Sequence, residues 1–325
     1  MVEQSSNIPW PSIRDAIARI AGDNKSGAAE ILGGAGNLFA LLSAELSNKA
    51  PLSDDLARQA VNNLAIALAQ AQPGMSPLLK LASAAVSAAR ESTSGLEALD
   101  AAARAASKFV EAAAQAASAT ARHGASLIGE RSRVLTHSRS STVVEAFVEA
   151  RREGRDFSVV ATEGRPLLEG RALAASLARE GVPVTLIADA AAALAMEGVD
   201  FVIVGADTVM PENLVNKIGT RLIALAAREK GLPIYALCDT SKFVGEGCSA
   251  GFRDELEVSE VWPDAPTGVR VINRYFEPTP LAYFTSIVTE HGALPSEEAS
   301  LLARQAVVDD VLLNALEESG REIVR

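Results

Sequence analysis

Short apolar segments that end in polar residues recur through the middle of the chain, between Val134 and Phe243. Their continuous Val, Ile and Leu runs are typical of strands covered on both faces, and helical patterns fill most of the gaps between them. Strands that alternate with helices build a parallel sheet. The predicted strands are residues 134–137, 157–162, 183–188, 201–205 and 233–238, with a sixth at 269–273.

Helical patterns separate these strands, and most of them end at a glycine, the residue that favours the left-handed conformation closing a helix. A further helix and a C-terminal helical stretch that begins at Ser296 follow the last strand. The predicted helices are residues 141–153, 169–180, 190–197, 214–230 and 279–290.

The first part of the chain has helical patterns alone. Ser53 precedes an acidic turn and a stripe of Leu and Ala at every fourth position, which predicts a capped helix. Ser76-Pro77 opens the next helix, since proline is favoured in the first helical turn. A long Ala-rich helix follows over residues 94–122, with Gly124 as its expected stop.

The change of pattern after this helix predicts two domains. We expect an all-helical N-terminal domain at residues 1–126. Residues 127–325 are expected to form a Rossmann-like α/β domain with a mainly parallel sheet. In an open sheet of this kind, ligands bind outside the carboxyl ends of the strands.

The charge balance limits the possible partners. The chain has 41 acidic and 30 basic residues among 325, a net charge of −11. Nucleic-acid surfaces need stripes of Lys and Arg, so we expect no direct nucleic-acid partner. The N-terminus has no basic start followed by an apolar run, and the Ala-rich stretch is too polar to span a bilayer. These features favour a cytoplasmic protein without a membrane partner.

The chain carries no sequence signal for a metal or a cofactor. Cys238 and Cys248 are too few for a disulfide framework and lack the spacing of metal ligands. No GxGxxG motif follows a strand, and no P-loop signature is present, so neither dinucleotide binding nor P-loop chemistry is indicated. We therefore expect that no cofactor is required.

Basic residues and one carboxylate follow the predicted strands, where a ligand site is expected. Arg139, Arg165, Lys217 and Lys242 would meet at one sheet edge of an acidic protein, which predicts a pocket for a small, multiply anionic ligand such as a phosphorylated sugar. Asp207 follows an apolar strand. Burial there would raise the pKa of its carboxyl group, which suits proton transfer.

Each of these features also has a plain structural explanation. The serines after the first strand could simply cap a helix, and Arg165 could form a surface salt bridge with Glu163 or Glu169. Cys238 could supply a reactive thiol, or it could be a buried strand residue, which is the usual state of a free cysteine. The strand-end residues could also form a solvated surface of a structural protein.

Seven motifs carry a resemblance to a known family. They resemble the motifs of the family that includes the alpha, beta and delta subunits of eukaryotic translation initiation factor 2B. The same family includes two sugar-phosphate isomerases, methylthioribose-1-phosphate isomerase and ribose-1,5-bisphosphate isomerase. The order and spacing of the motifs make the resemblance specific. The motifs are LTHSRS (135–140), TEGRPLLEGR (162–171), VPVTLIADAA (182–191), VIVGADTV (202–209), NKIGT (216–220), SKF (241–243) and YFEPTP (275–280).

The resemblance implies a helical domain followed by a Rossmann-like domain, and a homodimer or a higher oligomer. The isomerases open a sugar ring and move a proton between C1 and C2 without a metal or redox cofactor. Their catalytic Asp corresponds to Asp207, and their catalytic Cys corresponds to Ser138, which is the important departure. A thiol ionises near neutral pH, whereas an unassisted hydroxyl does not, so Ser138 would donate a hydrogen bond or need activation by His137.

The ligand-binding residues of the isomerases also have counterparts here. The N-terminal phosphate loop of the family corresponds to Ser26-Gly27-Ala28. The remaining phosphate and hydroxyl ligands correspond to Arg165, Asn216, Lys217 and Lys242.

Two functions follow from this comparison of residues. In the first, the protein isomerises an aldose phosphate to a ketose phosphate with Asp207 as the main acid or base. In the second, it is a non-catalytic regulatory subunit that senses a sugar phosphate or a nucleotide through an oligomer. Retention of Asp207 favours the first, and the loss of the thiol at Ser138 favours the second.

Overall fold

The computed structural model describes residues 8–23, 27–47, 53–245, 248 and 256–318. The chain divides into two compact units. One combines Met1–Gln115, Val244–Gly251 and Ala306–Arg325, and the other combines Ala116–Phe243 and Phe252–Gln305. The proposed domain boundary between residues 126 and 127 stays a prediction.

The secondary-structure elements in the described part of the first unit are helices. The predicted cap at Ser53 is present, because its Oγ accepts a hydrogen bond from the Leu56 backbone N–H at 3.3 Å. Proline stands in the first turn of both the first and the fourth helix. The helices are α1 (Pro11–Gly22), α2 (Ala28–Ser47), α3 (Asp54–Ala71), α4 (Ser76–Glu91), α5 (Gly95–Ser126), which contributes to both units, and α11 (Asp310–Glu318) near the C-terminus.

Gly124 does not end the long helix as the sequence suggested, since α5 continues to Ser126. A Cβ atom at Gly124 would lie 2.3 Å from the side chain of Leu237, and both residues belong to the second unit. Because this glycine has no side chain, the helix can pack closely on the sheet. The glycine is needed for this packing and does not end the helix.

The second unit contains a seven-stranded sheet. Its strands are β1 (Arg133–His137), β2 (Ser158–Thr162), β3 (Val184–Ile187), β4 (Phe201–Gly205), β7 (Ile234–Leu237), β9 (Ser286–Thr289) and β10 (Gly292–Leu294). They lie in the order β10-β9-β7-β4-β1-β2-β3. All neighbouring strands are parallel except β9 and β10. Five of the six predicted strands are therefore confirmed as neighbours in one mainly parallel sheet.

Both faces of this sheet are covered, which explains the continuous apolar runs. Successive residues of β1 and β4 belong to different clusters: Leu135 and Val202 pack in one, and Val134 and Ile203 in the other. The helices that connect the strands are α6 (Ser141–Arg152), α7 (Glu169–Arg179), α8 (Ala192–Ala195) and α9 (Thr220–Glu229), and α10 (Ser296–Arg304) follows the last strand.

The predicted helix 214–230 is wrong at its start. Asn213–Lys217 is a strand, β6, between β5 (Thr208–Val209) and β8 (Phe276–Pro280) in a small antiparallel sheet. The helix begins only after Gly219, whose positive φ of 104° interrupts the chain between the two elements. Pairing with a strand some sixty residues away overrides the local helical pattern.

Two further predictions near the C-terminus are wrong. Residues 269–273 form no strand, and Val269 and Ile272 are exposed. Residues 279–290 are not a helix, because β8 and β9 occupy that segment. The run Ser286–Thr289 is rich in β-branched residues, and it adds a parallel strand to β7. Helix 190–197 is present as short helical pieces over residues 189–198.

None of the helices in the described ranges is long and apolar enough to cross a membrane.

Candidate functional site

The order of the strands defines where a site is expected. From β1 the chain moves to β2 and β3 on one side, and then returns to β4 on the other side of β1. The crevice at such a switch point, outside the carboxyl ends of the strands, is the usual ligand site of open α/β sheets. Ser138 follows β1 and Asp207 follows β4, so both candidate catalytic residues lie at this point.

Asp207 is partly buried, and its backbone N–H donates to the carbonyl of Val215 in β6 at 2.9 Å. Burial raises the pKa of the Asp207 carboxyl group, the positive charges of Lys242 and Lys217 lower it, and the negative charge of Glu169 raises it. The raised pKa keeps a proton on this group at a higher pH than on an ordinary aspartate, as a general acid requires.

Lys242 lies on a short turn after β7 and is 8% exposed. Its Nζ donates to the carbonyl of Ala206 at 2.6 Å. Asp239 caps this turn, since its carboxylate accepts the Ser241 N–H at 3.1 Å. Capping and burial hold the Lys242 ammonium group at the end of β4, beside Asp207.

Lys217, at the end of β6, is 3% exposed and forms an ion pair with Glu169 at 2.6 Å. Its Nζ also lies 5.0 Å from the centre of the Tyr275 ring. A buried cation needs such partners, since desolvation without them is costly. The cation predicted to bind phosphate is therefore already paired with a carboxylate.

Ser138 contacts the same carboxylate. It has a positive φ of 66°, and its Oγ donates to Glu169 Oε1 at 2.9 Å. Glu169 Oε2 is buried and accepts no hydrogen bond from the described residues. An unsatisfied buried carboxylate oxygen is rare in folded proteins, and a catalytic role is one of the explanations for such a group.

His137 is engaged through both ring nitrogens. Nε2 lies 2.8 Å from the carbonyl of Ile218 and Nδ1 lies 2.6 Å from Thr162 Oγ1. A carbonyl only accepts, so Nε2 carries the proton, and the neutral ring accepts the Thr162 hydroxyl at Nδ1. Burial lowers the pKa of His137. The neutral imidazole thus joins β1, β2 and the loop after β6, and neither ring nitrogen contacts Ser138.

The two predicted arginines follow β1 and β2. Arg139 and Arg165 are exposed. The Asp189 carboxylate accepts the backbone N–H groups of Gly164 at 2.8 Å and Arg165 at 2.7 Å, which fixes the loop that carries the Arg165 side chain. The Arg165 guanidinium group donates to the carbonyl of Val261 at 3.0 Å. The salt bridges considered for Arg165 are thus replaced by a backbone contact.

Asn216 is buried, and its amide donates to Thr220 Oγ1 at 3.0 Å. Thr220 Oγ1 in turn donates to the carbonyl of Lys217 at 2.6 Å. These bonds stabilise the passage from β6 to α9. They occupy one hydrogen of the amide, which has a second hydrogen and an oxygen.

Gly27 lies in the helical unit, whereas the other predicted site residues lie in the sheet unit. Its carbonyl accepts the N–H groups of Glu30 at 3.0 Å and Ile31 at 3.2 Å, so it stands at the start of α2. Ser26 is outside the described residues. The grouping of Gly27 with the sheet-edge residues stays a prediction.

Cys238 does not replace the missing thiol. It is 0% exposed in the apolar core, and burial raises the pKa of its thiol. A reactive cysteine needs partial exposure and a lowered pKa. Cys238 is therefore buried, as in the second of the two possibilities that the sequence left open, although the strand itself ends one residue earlier, at Leu237.

Sequence reasoning missed the position of Glu169. It had been considered only as a surface partner of Arg165, yet it contacts Ser138 and Lys217. No local sequence pattern indicates this role, since Glu169 looks like an ordinary acidic residue at the start of a helix. In the structure, a Cβ atom at the next residue, Gly170, would lie 1.9 Å from the carbonyl oxygen of Thr162. The close approach of α7 to the end of β2 brings the side chain of Glu169 into the site.

These features define a class of protein: a helical unit joined to a doubly wound α/β unit, with buried lysines and a carboxyl group of raised pKa at the switch point of its sheet. The chain belongs to the Initiation factor 2 subunit family, whose sequence pattern matches residues 27–296. The predicted resemblance is thereby confirmed.

Individual relatives are isomerases and initiation-factor proteins. The chain is 34% identical over 200 residues to ribose 1,5-bisphosphate isomerase of Methanocaldococcus jannaschii, covering 60% of this chain and 65% of that protein. It is 37% identical over 207 residues to methylthioribose-1-phosphate isomerase of Syntrophotalea carbinolica, covering 57% and 59%. The chain thus spans less than two thirds of the length of either curated relative.

A solved structure also matches the fold. The translation initiation factor eIF-2B of Pyrococcus horikoshii OT3 is similar with a TM-score of 0.74 and 27% identity, covering 88% of this chain and 98% of that one. The expected fold class, helices followed by a mainly parallel sheet, is confirmed by this likeness and by the strand order.

Proposed function

We propose that this protein binds a phosphorylated sugar and isomerises an aldose phosphate to a ketose phosphate. The observation that carries the proposal is the Asp207 carboxyl group, which burial makes a weaker acid and which lies in the field of Lys242 and Lys217. A titratable group with a perturbed pKa at the ligand crevice of an α/β sheet is a good candidate for acid–base catalysis. The isomerase relatives support the reaction class.

The isomerisation requires opening of the sugar ring and the transfer of protons. The ring opens, a proton leaves C2, and C1 gains one. Asp207 serves as the general acid or base, a role worth about 10²–10⁴-fold in rate. Lys242 lies beside it and stabilises negative charge that develops on the substrate oxygens. No metal and no cofactor is part of the proposal.

The remaining residues hold the substrate. Arg139 and Arg165 bind its phosphate group, since guanidinium groups suit bidentate contacts with phosphate. Asn216 contributes its remaining hydrogen-bonding capacity to sugar hydroxyls, and Gly27 contributes to a phosphate loop. Ser138 donates to a substrate oxygen or to the carboxylate it now contacts.

A second function is favoured by Ser138. With a hydroxyl where the isomerases have a thiol, the same pocket could hold its ligand without converting it. The protein would then act as a regulatory subunit that senses a sugar phosphate or a nucleotide through its oligomer. For either function we propose a cytoplasmic homodimer or higher oligomer, without direct binding to nucleic acid or membranes.

The test is a turnover assay. Ribose 1,5-bisphosphate, methylthioribose-1-phosphate and 5-deoxyribose 1-phosphate are added separately, and ketose formation is followed by NMR. The isomerase proposal is supported if the wild type isomerises at least one of these sugars and Asp207→Asn does not. The matched control is Asp264→Asn, since Asp264 is an exposed loop residue.

Absence of turnover with all three sugars would remove the isomerase proposal. The regulatory function is then tested by calorimetry with the same sugars and with nucleoside monophosphates, combined with sedimentation velocity. Ligand binding that shifts the oligomeric state supports the regulatory function. If ligand binding leaves the oligomeric state unchanged, the regulatory function is rejected.

A further inference from the structure

Isomerisation through an enediol-type intermediate needs two acid–base groups on the protein. One gives a proton to the ring oxygen as its bond to C1 breaks, and the other removes the proton from C2. Asp207, with its raised pKa, suits the first task. The hydroxyl of Ser138 cannot ionise unaided and does not suit the second.

Glu169 is the carboxylate that Ser138 contacts. Ser138 Oγ donates to Oε1 at 2.9 Å, and Lys217 Nζ lies 2.6 Å from the same oxygen. Oε1 therefore has two donors, while Oε2 is buried and accepts no bond from the described residues. The Glu169 side chain is 21% exposed, so the carboxylate is mostly withdrawn from solvent.

The position of Glu169 is fixed by its surroundings. It begins α7 directly after Leu168, whose φ of 60° is left-handed, and the backbone of the next residue contacts the end of β2. The carboxylate also lies within electrostatic reach of Asp207, whose carboxyl group responds to its charge. Glu169 and Asp207 thus belong to one site, approached from β2 and from β4.

We propose that Glu169 is the second catalytic residue of this site, with Oε2 removing the C2 proton of an aldose 1-phosphate, in place of the thiol that stands at position 138 in the resembling isomerases. The inference rests on the proposed isomerase function. Ser138 and Lys217 hold the carboxylate in place through Oε1 and are positioning residues.

The protons balance without an oxidant or reductant. Asp207 gives its proton to the ring oxygen as the C1–O bond breaks, and the C2–H proton passes to Glu169 Oε2, which leaves a C1=C2 double bond. The proton on Glu169 is then returned to C1, while the O2–H proton passes to the Asp207 carboxylate as C2=O forms. Both carboxyl groups end in their starting states.

The test compares Glu169→Gln with Glu163→Gln. The amide is nearly isosteric and still accepts from Ser138, but it cannot take a proton. Glu163 precedes the same loop and pairs with Arg171 on the surface, so Glu163→Gln controls for the loss of one charge. Turnover of the three sugar phosphates is measured by NMR, and their binding by calorimetry.

We expect kcat of Glu169→Gln to fall by about 10²–10⁴-fold, with a dissociation constant within a few-fold of the wild type. We also expect Ser138→Cys to restore turnover in the Glu169→Gln background, because a thiol can ionise near neutral pH. Equal turnover of Glu169→Gln and Glu163→Gln, parallel loss of binding and turnover, or failure of the thiol to restore activity would each overturn the inference.

These outcomes differ from a failure of the proposed function. If the wild type turns over none of the three sugars, both the isomerase proposal and the role of Glu169 are rejected together. If the wild type is active and Glu169→Gln is equally active, the isomerase stands and only the role of Glu169 is rejected.

Discussion

The ammonium group of Lys242 donates a hydrogen bond to the carbonyl oxygen of Ala206 at 2.6 Å, one residue before Asp207. This bond joins the turn after β7 to the end of β4. It places a positive charge where it lowers the pKa of the Asp207 carboxyl group against the effect of burial. The same bond therefore serves both the fold and the acid–base chemistry of the site.

Replacing Lys242 by Met should raise the pKa of Asp207 further and destabilise the protein. The carbonyl of Ala206 would lose its donor, which costs about 1–3 kcal/mol in a buried place. Urea unfolding measures the stability change, and the pH dependence of turnover reports the pKa. Lys230→Met is the control, since Lys230 is a surface residue 3.6 Å from Glu197 and should change neither quantity by much. An unchanged pH profile in Lys242→Met would contradict the coupling.

Stability should decline in weak acid because of His137. Burial lowers its pKa from the ordinary value of 6.5, so the unfolded chain takes up a proton that the folded protein does not. The stabilising contribution is therefore fully present above 6.5 and is lost as the pH falls from there through the lowered pKa of the folded state. The slope attributable to this residue reaches at most about 1.4 kcal/mol per pH unit.

The measurement is urea unfolding at a series of pH values in wild type, His137→Gln and His291→Gln. His291 is exposed, so His291→Gln should keep the wild-type slope. In His137→Gln, the amide replaces both hydrogen-bonding functions of the ring without titrating, and the slope below 6.5 should decrease. Equal slopes in all three proteins would reject this role of His137.

Much of the sheet could be predicted because buried parallel strands leave continuous apolar runs. Phe201–Gly205, for example, is apolar or glycine throughout and is buried at every position. The strand Asn213–Lys217 could not be predicted in this way. It exists because it pairs with Phe276–Pro280, a partner that local periodicity does not reveal.

The candidate site, like the sheet, could be predicted only in part. Asp207 could be predicted, since a carboxylate directly after an apolar strand is unusual in sequence. Glu169 could not, because its importance depends on contacts with Ser138 and Lys217, which come from distant parts of the chain. A residue that looks like an ordinary acidic start of a helix acquires its role only when the strands meet.

Cys238 should resist thiol reagents in the folded protein. The residue is buried, and its raised thiol pKa leaves it protonated at neutral pH. In a Cys248→Ser background, labelling by iodoacetamide should proceed only as fast as the protein opens, and quickly in urea. Rapid labelling of the native protein with loss of turnover would show instead that Cys238 supplies a catalytic thiol.

Gly170→Ala should be strongly unfavourable, whereas Gly34→Ala should be tolerated. Both glycines lie in helices, Gly170 in the first turn of α7 and Gly34 within α2. A Cβ atom at Gly170 would lie 1.9 Å from the Thr162 carbonyl oxygen and 2.9 Å from a backbone carbon of Glu163. These are backbone atoms that cannot rotate away, so α7 or the end of β2 has to move.

We expect Gly170→Ala to lower the free energy of unfolding by about 1–3 kcal/mol or more. At Gly34 a Cβ atom would meet nothing within 4 Å, and alanine should stabilise the helix by about 0.5–1 kcal/mol. Urea unfolding of both variants measures the difference. Because the displaced turn also carries Glu169, Gly170→Ala should lose turnover under conditions where the variant is still fully folded. Retention of both stability and activity in Gly170→Ala would show that the contact between α7 and β2 does not set the position of Glu169.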